Sequence, residues 1–355
     1  MIAETKKMFA GVVHGKQDIR FEEIQMPELK KNEVLVEVKM TGICGSDVPR
    51  VNEGTCHFYP IVLGHEFSGV VADVGTDVTS IEIGTHVAGV PLVPCMQCED
   101  CKKGNYSLCK KYSFIGSRQN GSFAQYVAVP ETNVIPLDNS VTFEQGAFFE
   151  PATVALHGLR CADFQGGKTV AVLGAGTVGL LTMQWAKIFG ASKVIVVNRS
   201  RQKLETAKDL GADAVVSSLD ENYREQLMDL TDNRGFDYVF ETAGSVEMMK
   251  TAFYSAANKA DVCFIGTPKE AQTFSVAEWE MMNRKEFNMT GSWMSYSAPF
   301  PGEEWSLTAH CFQSGQLKID ARMIDKVIPL RDIAKAFALY KEHKVSGKIL
   351  IDSQG

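Results

Sequence analysis

The chain has 355 residues, enough for two domains of ordinary size, and its 45% hydrophobic and 22% charged content is typical of globular proteins. A formal net charge of -7, with no basic stripe interleaved with aromatic residues, argues against nucleic-acid binding. The first residues, MIAETKKMF, lack the apolar segment of a signal peptide, so we expect a cytoplasmic protein.

The first candidate site lies between Cys44 and Glu66. The run EVLVEVKMTGICG alternates polar and apolar residues, which predicts a half-buried strand ending just before Cys44. Cys44, His65 and Glu66 supply a thiolate, an imidazole and a carboxylate, a donor set suited to a catalytic zinc ion with an open position. Unrelated core residues are the alternative. The hydroxyl of Ser46 could face the group bound to such a metal.

Four further cysteines follow in a C-x2-C-x2-C-x7-C pattern, at Cys95, Cys98, Cys101 and Cys109. Two-residue gaps let successive thiolates turn back onto one ion, and a fourth cysteine after a short loop completes a tetrahedron. We therefore predict a closed structural zinc site; an iron–sulfur cluster and chance spacing are the alternatives.

The pattern QGAFFEPATVALHGLR predicts a helix in which Glu150 and Pro151 occupy the first turn. A carboxylate at that position also gains from the helix dipole, which would explain Glu150 without any function.

From Lys168 the pattern changes to strand, glycine turn and helix. The uncharged run from Thr169 to Ala186 approaches the length of a membrane span, but its glycines favour a buried strand followed by a helix. Because Gly174, Gly176 and Gly179 form GxGxxG between these elements, we predict dinucleotide binding, with Thr177 and Val178 at the helix N-terminus near the phosphates.

The next strand ends at Asn198 and Arg199, where NAD-binding proteins usually carry an acidic residue. Arginine can pair with a 2′-phosphate, so the sequence favours NADP over NAD, although Asn198 could still bind a plain ribose. Helices and strands then alternate, which predicts a parallel doubly wound α/β sheet with loops such as Gly266–Thr267 at its ligand-binding edge.

The glycine-framed GHE motif, with Gly69, Gly75 and Gly84 after it, resembles the signature of zinc-dependent medium-chain alcohol and polyol dehydrogenases. The resemblance implies a GroES-like β-rich catalytic domain over 1–155 and 292–355, with a structural zinc lobe over 93–112. It implies a Rossmann coenzyme domain over 156–291, two zinc ions per chain and NAD(P).

The resemblance also implies roles for single residues. Glu150 followed by proline matches the polyol branch, so Glu150 would be the third ligand of a catalytic zinc held by Cys44 and His65. Glu66 would alternate with Glu150 or lie behind the ligands. Ser46 would pass the proton outward from the substrate hydroxyl. Many members continue this relay with a histidine, but this chain has Val48, Pro49 and Arg50 there, which leaves water or Glu66 as substitutes.

The segments CGSDVPR, FYPIVLGHEFSG and GSWMSYSAPFPGEEW resemble the polyol-phosphate dehydrogenases of the family. This implies oxidation of a phosphorylated sugar alcohol such as galactitol 1-phosphate, the alternative being an unphosphorylated polyol such as sorbitol. Candidate substrate contacts are Tyr59 and Arg118, although Arg118 could equally be a solvated surface residue. Ser292, Trp293 and Met294 would line the nicotinamide; without the resemblance they could belong to a subunit interface.

We expect a homodimer or homotetramer that binds a small molecule and neither nucleic acid nor membrane. Two hypotheses from other classes remain open. A non-catalytic dinucleotide sensor would keep the glycine turn but could lose the zinc ligands, and a zinc-binding interaction module would need only the four-cysteine lobe.

Overall fold

The computed structural model describes residues 6–268 and 270–355, and the chain divides into two compact units. Unit 1 contains Met1–Glu150, Tyr296–Gly315 and Ala321–Gly355, and unit 2 contains Pro151–Ser295 and Gln316–Asp320. The main divisions thus fall a few residues from the predicted 155/156 and 291/292. No helix in the described residues is both long enough and apolar enough to span a bilayer.

The structure has strands β1 Lys7–Gly15, β2 Asp18–Gln25, β3 Glu33–Gly42, β4 Ile61–Val62, β5 Glu66–Val74, β6 His86–Gly89, β7 Leu92–Val93, β8 Ser113–Phe114, β9 Tyr126–Pro130, β10 Val134–Pro136, β11 Thr169–Leu173, β12 Lys193–Asn198, β13 Ala214–Ser217, β14 Phe236–Glu241, β15 Ala256–Phe264, β16 Asn288–Gly291, β17 Ile324–Pro329 and β18 Lys348–Asp352. Its α-helices are α1 Asp47–Asn52, α2 Glu99–Lys102, α3 Phe143–Ala147, α4 Phe149–Cys161, α5 Thr177–Ile188, α6 Arg201–Asp209, α7 Tyr223–Asp229, α8 Val246–Ser255, α9 Val276–Lys285, α10 Glu303–Gln313 and α11 Ile333–Lys341.

Unit 1 is built on a mixed sheet in which β3 pairs with β5, β9 and β18. Alternating valines of β3 and β5 pack into a core with Phe67, as expected for strands with one face buried. The register places Gly42 opposite both Glu66 on β5 and Leu350 on β18. Residues far apart in sequence therefore meet just beyond the end of β3, where Cys44 follows.

Unit 2 is a six-stranded parallel sheet in the order β13-β12-β11-β14-β15-β16. Counted from β11 this is the Rossmann order 3-2-1-4-5-6, so the predicted doubly wound α/β fold is confirmed. The central strands read as continuous apolar runs because helices cover both faces of such sheets. The change of direction between β11 and β14 puts the glycine turn after β11 at the ligand-binding edge.

Candidate functional site

Three donor atoms meet where β3 ends and β5 begins. Cys44 Sγ, an imidazole nitrogen of His65 and a carboxylate oxygen of Glu66 all lie within 4.8 Å of one another. His65 and Glu66 are buried, and Cys44 is half-buried. The pairing of Gly42 with Glu66 across β3 and β5 explains why two motifs twenty-two positions apart form one cluster.

Asp47, on α1, holds two members of this donor cluster in place. Its carboxylate accepts a hydrogen bond from the Cys44 backbone amide at 3.1 Å, and its Oδ1 lies 3.5 Å from His65 Nδ1. Burial alone would lower the pKa of the His65 imidazole, but the charges of Asp47 and Cys44 raise that pKa well above its usual range. This pocket therefore favours a cation at the position of His65.

Glu66 forms a buried ion pair with Lys348, which precedes three buried residues of β18. Burial lowers the pKa of Lys348, but Glu66 and Cys44 more than offset it, so the amine stays protonated. Sequence reasoning missed Lys348, and the available signal was a lysine at the start of an otherwise apolar strand. The ion pair means that Glu66 already has a positive partner.

Glu150 lies in the first turn of α4, as predicted, and is half-buried. Burial raises the pKa of its carboxyl to about 7, against the lowering effect of His65 and with a further rise from Glu66. Glu150 is thus within electrostatic reach of the donor cluster, although the compact set of donors contains Glu66 and not Glu150. Glu66 is therefore part of the compact donor set, whereas Glu150 is coupled to it only through charge.

The donor chemistry of this cluster fits zinc, which binds sulfur, nitrogen and oxygen donors. The buried His65 Nδ1 makes no hydrogen bond within the described residues, since its separation from Asp47 is long for one. With fewer than four firm protein ligands, such a site would keep a position open for a small molecule.

The four sulfur atoms of the cysteine lobe also lie within 4.8 Å of one another. Backbone amides of Gln97 and Cys98 lower the pKa of the Cys95 thiol to about 6, whereas burial raises that of Cys101 to about 12. Four thiolates packed this closely repel one another unless a cation lies among them. The set fits a closed tetrahedral zinc site with no open position.

The residues predicted to face the substrate lie in unit 1, and Ser46 contacts the donor cluster directly. Ser46 Oγ donates to Cys44 Sγ at 3.3 Å and accepts from Arg50 Nη1 at 2.8 Å. The Arg118 guanidinium lies 4.6 Å from the centre of the Tyr112 ring and makes no ion pair among the described residues. Tyr59 is exposed. The contacts of Arg50 were not anticipated from the sequence.

In unit 2 the glycine turn joins β11 to α5. Gly174 has a φ of +114°, and a Cβ on Gly179 would lie 1.9 Å from the Gly174 carbonyl oxygen. Gly176 is the N-cap of α5, faces open space and has no side chain that caps the helix. The amides of Thr177 and Val178 therefore begin a helix whose N-terminus is free to bind an anion, which fits a pyrophosphate.

The residues expected to select the dinucleotide lie at the end of β12. Asn198 Oδ1 accepts from the Ala175 amide at 3.3 Å, so its side chain faces the glycine turn. Arg199 is exposed and Ser200 caps α6. This arrangement offers an amide and a guanidinium where an acidic residue would exclude a phosphate.

A cavity of about 370 Å³ lies beyond β15 and β16. Gly266, Ser292 and Trp293 line it, with aromatic side chains that include Phe253 and Phe264, whereas Met294 is not among its lining residues. Its apolar walls suit a flat aromatic ring.

Both parts of the chain match known families of dehydrogenases. Residues 30–139 match the family described as alcohol dehydrogenase GroES-like domain, and residues 177–310 match that described as zinc-binding dehydrogenase. Galactitol 1-phosphate 5-dehydrogenase of Escherichia coli (strain K12) is 37% identical over 94% of this chain and 96% of its own length. The chain is a zinc-binding dehydrogenase of the alcohol and polyol family.

The names of other relatives of this dehydrogenase refer to a polyol or to a ketose. Sorbitol dehydrogenase of Bacillus subtilis (strain 168) is 34% identical over 75% of the chain and 76% of its own length. D-xylulose reductase A of Aspergillus oryzae (strain ATCC 42149 / RIB 40) is 33% identical over 96% of each. The names thus agree on polyol chemistry and differ in the substrate.

Solved structures extend the likeness to the fold of the dehydrogenase. The crystal structure of galactitol-1-phosphate dehydrogenase from Escherichia coli matches with a TM-score of 0.92, covering 97% of this chain and 100% of that chain at 37% identity. A zinc-binding dehydrogenase from Sinorhizobium meliloti 1021, solved with bound NADP, matches with a TM-score of 0.86 and 28% identity, covering 98% and 99%. The GroES-like and Rossmann architecture is therefore confirmed.

Glu241, at the end of β14, is a further polar group of the dehydrogenase that sequence reasoning missed. Its Oε1 accepts from the amides of Ala243 and Gly244, both at 2.8 Å, while the buried Oε2 has no partner within the described residues. Burial raises its pKa to about 7, although the two amides lower it. Its backbone carbonyl accepts from Ile265 and Gly266, so one residue organises two loops at the sheet edge.

We expect Gly176→Ala and Gly179→Ala to separate fold from dinucleotide binding. The Cβ of Gly176→Ala would enter open space, so stability should be unchanged while dinucleotide affinity falls at least about tenfold, because the backbone can no longer approach the pyrophosphate. Gly179→Ala should also cost about 1–3 kcal/mol through overpacking. Urea unfolding and fluorescence titration with NADP check this; unchanged affinity of Gly176→Ala would contradict it.

We expect Glu241→Gln to alter the pH dependence of stability. The raised pKa means that the folded state holds a proton, and this stabilisation is lost as the pH rises from about 4.5 through about 7. The amide of the variant stays neutral at every pH. The free energy of unfolding of the variant relative to that of the wild type should therefore increase by on the order of 1–3 kcal/mol between pH 5 and pH 8.

Urea unfolding of both proteins at pH 5 and pH 8 measures this gain. Glu278→Gln is the control, because the low pKa of about 2 at Glu278 places its titration below this pH range. A stability difference between Glu241→Gln and wild type that did not change with pH would contradict the expectation.

Proposed function

We propose that this dehydrogenase oxidises a secondary hydroxyl of a phosphorylated polyol, resembling galactitol 1-phosphate, to the ketose phosphate, with hydride transfer to NAD(P). The observation that carries the proposal is the donor cluster of Cys44, His65 and Glu66, which fits an open zinc site. The basic side chain of Arg50 reaches this cluster through Ser46. The likeness over 94% of the chain to a galactitol 1-phosphate 5-dehydrogenase supports the phosphorylated substrate.

In this proposal the catalytic zinc is held by Cys44, His65 and Glu150, with Glu66 as the alternative carboxylate, and the structural zinc by the four-cysteine lobe. When bound, the catalytic zinc supplies Lewis-acid chemistry that makes an alcohol easier to deprotonate at neutral pH. The charge of the Asp47 carboxylate, whose Oδ1 lies 3.5 Å from His65 Nδ1, raises the basicity of the imidazole. Lys348 forms a buried ion pair with Glu66, so this carboxylate already has a positive partner.

Ser46 is the first group that would move the proton outward. Its hydroxyl accepts from Arg50, which never gives up its own proton and therefore cannot continue a relay. Ser46 is exposed, so the proton would pass from its hydroxyl to solvent. This would replace the histidine step that many family members use.

The dinucleotide is proposed to bind unit 2 through Gly174, Gly176 and Gly179 and the first amides of α5. Ser292, Trp293 and Gly266 line the cavity proposed for its nicotinamide ring. Asn198 and Arg199 favour NADP, because Arg199 can pair with a 2′-phosphate. A homodimer or homotetramer and a cytoplasmic location are likewise proposals, drawn from the family likeness and the sequence.

A substrate panel tests the reaction. With zinc-loaded enzyme, we expect kcat/KM for galactitol 1-phosphate to exceed those for galactitol and sorbitol by at least about tenfold, because charge-assisted hydrogen bonds to phosphate are strong. We expect NADP to give a higher kcat/KM than NAD. Equal or better turnover of free sorbitol would favour the unphosphorylated-polyol alternative, which the likeness to sorbitol dehydrogenase supports.

Two amide variants test which carboxylate binds zinc. We expect Glu150→Gln to lower the metal content from about two to about one zinc ion per chain, because it loses a ligand. Glu66→Gln should keep its zinc but destabilise the protein by about 3–5 kcal/mol, because Lys348 is left as an unpaired buried charge.

Metal analysis after dialysis and urea unfolding measure the two effects, and Lys348→Met added to Glu66→Gln should restore stability. Loss of zinc from Glu66→Gln with retention by Glu150→Gln would show that Glu66 is the ligand instead.

A further inference from the structure

Arg50 connects directly to the donor cluster. Its Nη1 donates to the backbone oxygen of Ser46 at 2.9 Å and to Ser46 Oγ at 2.8 Å, and that hydroxyl donates to Cys44 Sγ. Its carboxylate neighbour is Asp47 at 3.4 Å, which also serves Cys44 and His65. In the described chain Arg50 Nη2 and Nε make no hydrogen bond, so one edge of the guanidinium is unused.

Arg118 is linked to the same cluster through Phe114, which contacts His65. Its backbone amide donates to the carbonyl of Phe114 at 2.9 Å, and the Phe114 ring packs edge-on against His65 at 5.4 Å between ring centres. The guanidinium rests on Tyr112, is exposed and has no acidic partner among residues 6–268 and 270–355. Arg118 is thus a positive charge that nothing in the described chain neutralises.

The loop that contains His57 joins these two arginines. At its start Cys56 Sγ donates to the carbonyl of Arg50 at 3.5 Å, and at its end the Val62 amide donates to Asn120 Oδ1 at 3.1 Å. The Gly121 amide returns a bond to the Val62 carbonyl, so the end of the loop is tied to the segment that carries Arg118.

His57 is affected by both arginines. Burial lowers the pKa of its imidazole, and the charges of Arg118 and then Arg50 lower it further. No acidic group contributes to this shift. Asp47 is a partner of Arg50, but Arg118 has no acidic partner among the described residues. Basic groups that converge repel one another, and an anion placed among them removes that repulsion.

We propose that Arg50, His57 and Arg118 form the subsite that binds the phosphate of the substrate while its hydroxyl faces the donor cluster. The proposal rests on the proposed function and names the residues responsible for its preference. The planar guanidinium of each arginine matches the oxygen pair of a phosphate, and a protonated imidazole adds a third charged donor. Specificity would then follow from a charged subsite that a free polyol leaves empty.

Arg118→Gln tests the subsite by kinetics with zinc-loaded enzyme. We expect kcat/KM for galactitol 1-phosphate to fall about 10- to 100-fold, mostly through KM, because a charge-assisted contact is lost. The ratio of this kcat/KM to that for galactitol should fall about tenfold or more. Arg331→Gln is the control, since Arg331 is also exposed and makes no ion pair in the described part of unit 1. Equal losses for the two substrates in Arg118→Gln would overturn the proposal.

Arg50→Gln removes the second guanidinium but also a hydrogen bond to Ser46, so it should lower kcat/KM for both substrates. The informative quantity is the ratio of the two values. We expect the ratio of phosphorylated to free polyol to fall about tenfold or more. An unchanged ratio would remove Arg50 from the subsite.

The titration of His57 provides a readout that does not depend on turnover. Carbon-labelled histidine NMR, with His57→Asn to assign the signal, should show the His57 pKa rising when galactitol 1-phosphate is added and not when galactitol is added. Arg50, Cys56, Tyr59 and Arg118 are the charged and titratable groups around this loop. Galactitol is uncharged, so it brings no charge that would shift the His57 pKa. A pKa unaffected by the phosphorylated compound would overturn the proposal.

Failure of the proposed function can be distinguished from failure of the proposed phosphate subsite. If the wild type turned over sorbitol but no phosphorylated polyol, the proposed reaction would be wrong. Inorganic phosphate would then serve as the probe: a rise in the His57 pKa would still support an anion subsite, and its absence would overturn this inference as well.

Discussion

The balance of buried charge beyond the end of β3 is the constraint on which unit 1 depends. Cys44, Asp47, Glu66 and Glu150 bring acidic groups into a small buried volume, where Lys348 and the half-buried Arg50 are the basic partners nearby. The acidic groups outnumber the basic ones. Burial would lower the pKa of His65, but the charges of Asp47 and Cys44 raise it, whereas burial and then the charge of Glu66 raise the pKa of Glu150. A site with excess negative charge favours any added positive charge. A divalent cation satisfies that demand, as the family to which the chain belongs requires.

This balance also explains why the backbone is arranged as it is. β3 pairs with β5 on one side and with β18 on another, so Glu66 and Lys348 meet although 282 positions separate them. Asp47, at the start of α1, then ties Cys44 to His65. A charged pair buried in this way contributes little net stability compared with an apolar pair, although removal of one partner alone is costly.

In unit 2 the main constraint is that the backbone of the glycine turn must come close to a ligand. Gly174 and Gly179 allow β11 and α5 to approach each other, and Gly176 leaves space outside the turn. Glu241, at the end of the neighbouring strand β14, also positions backbone at this edge. Its carboxylate and its backbone carbonyl accept hydrogen bonds from the loops after β14 and β15. Backbone donors at a strand edge thus take the place of charged side chains, while the basic residues near the donor cluster of unit 1 are proposed to recognise the phosphate of the substrate.

The sequence by itself determined the features whose physics is local. The cysteine spacing, the glycine turn between β11 and α5, and the position of Cys44 after a strand all depend on residues close together in the chain, so they could be predicted. Only the tertiary structure decided that Lys348 neutralises Glu66, that Glu66 joins Cys44 and His65 while Glu150 lies nearby, and that Arg50 bonds to Ser46. These depend on strand register and on burial, which set distances and charge energies between residues that no local pattern connects.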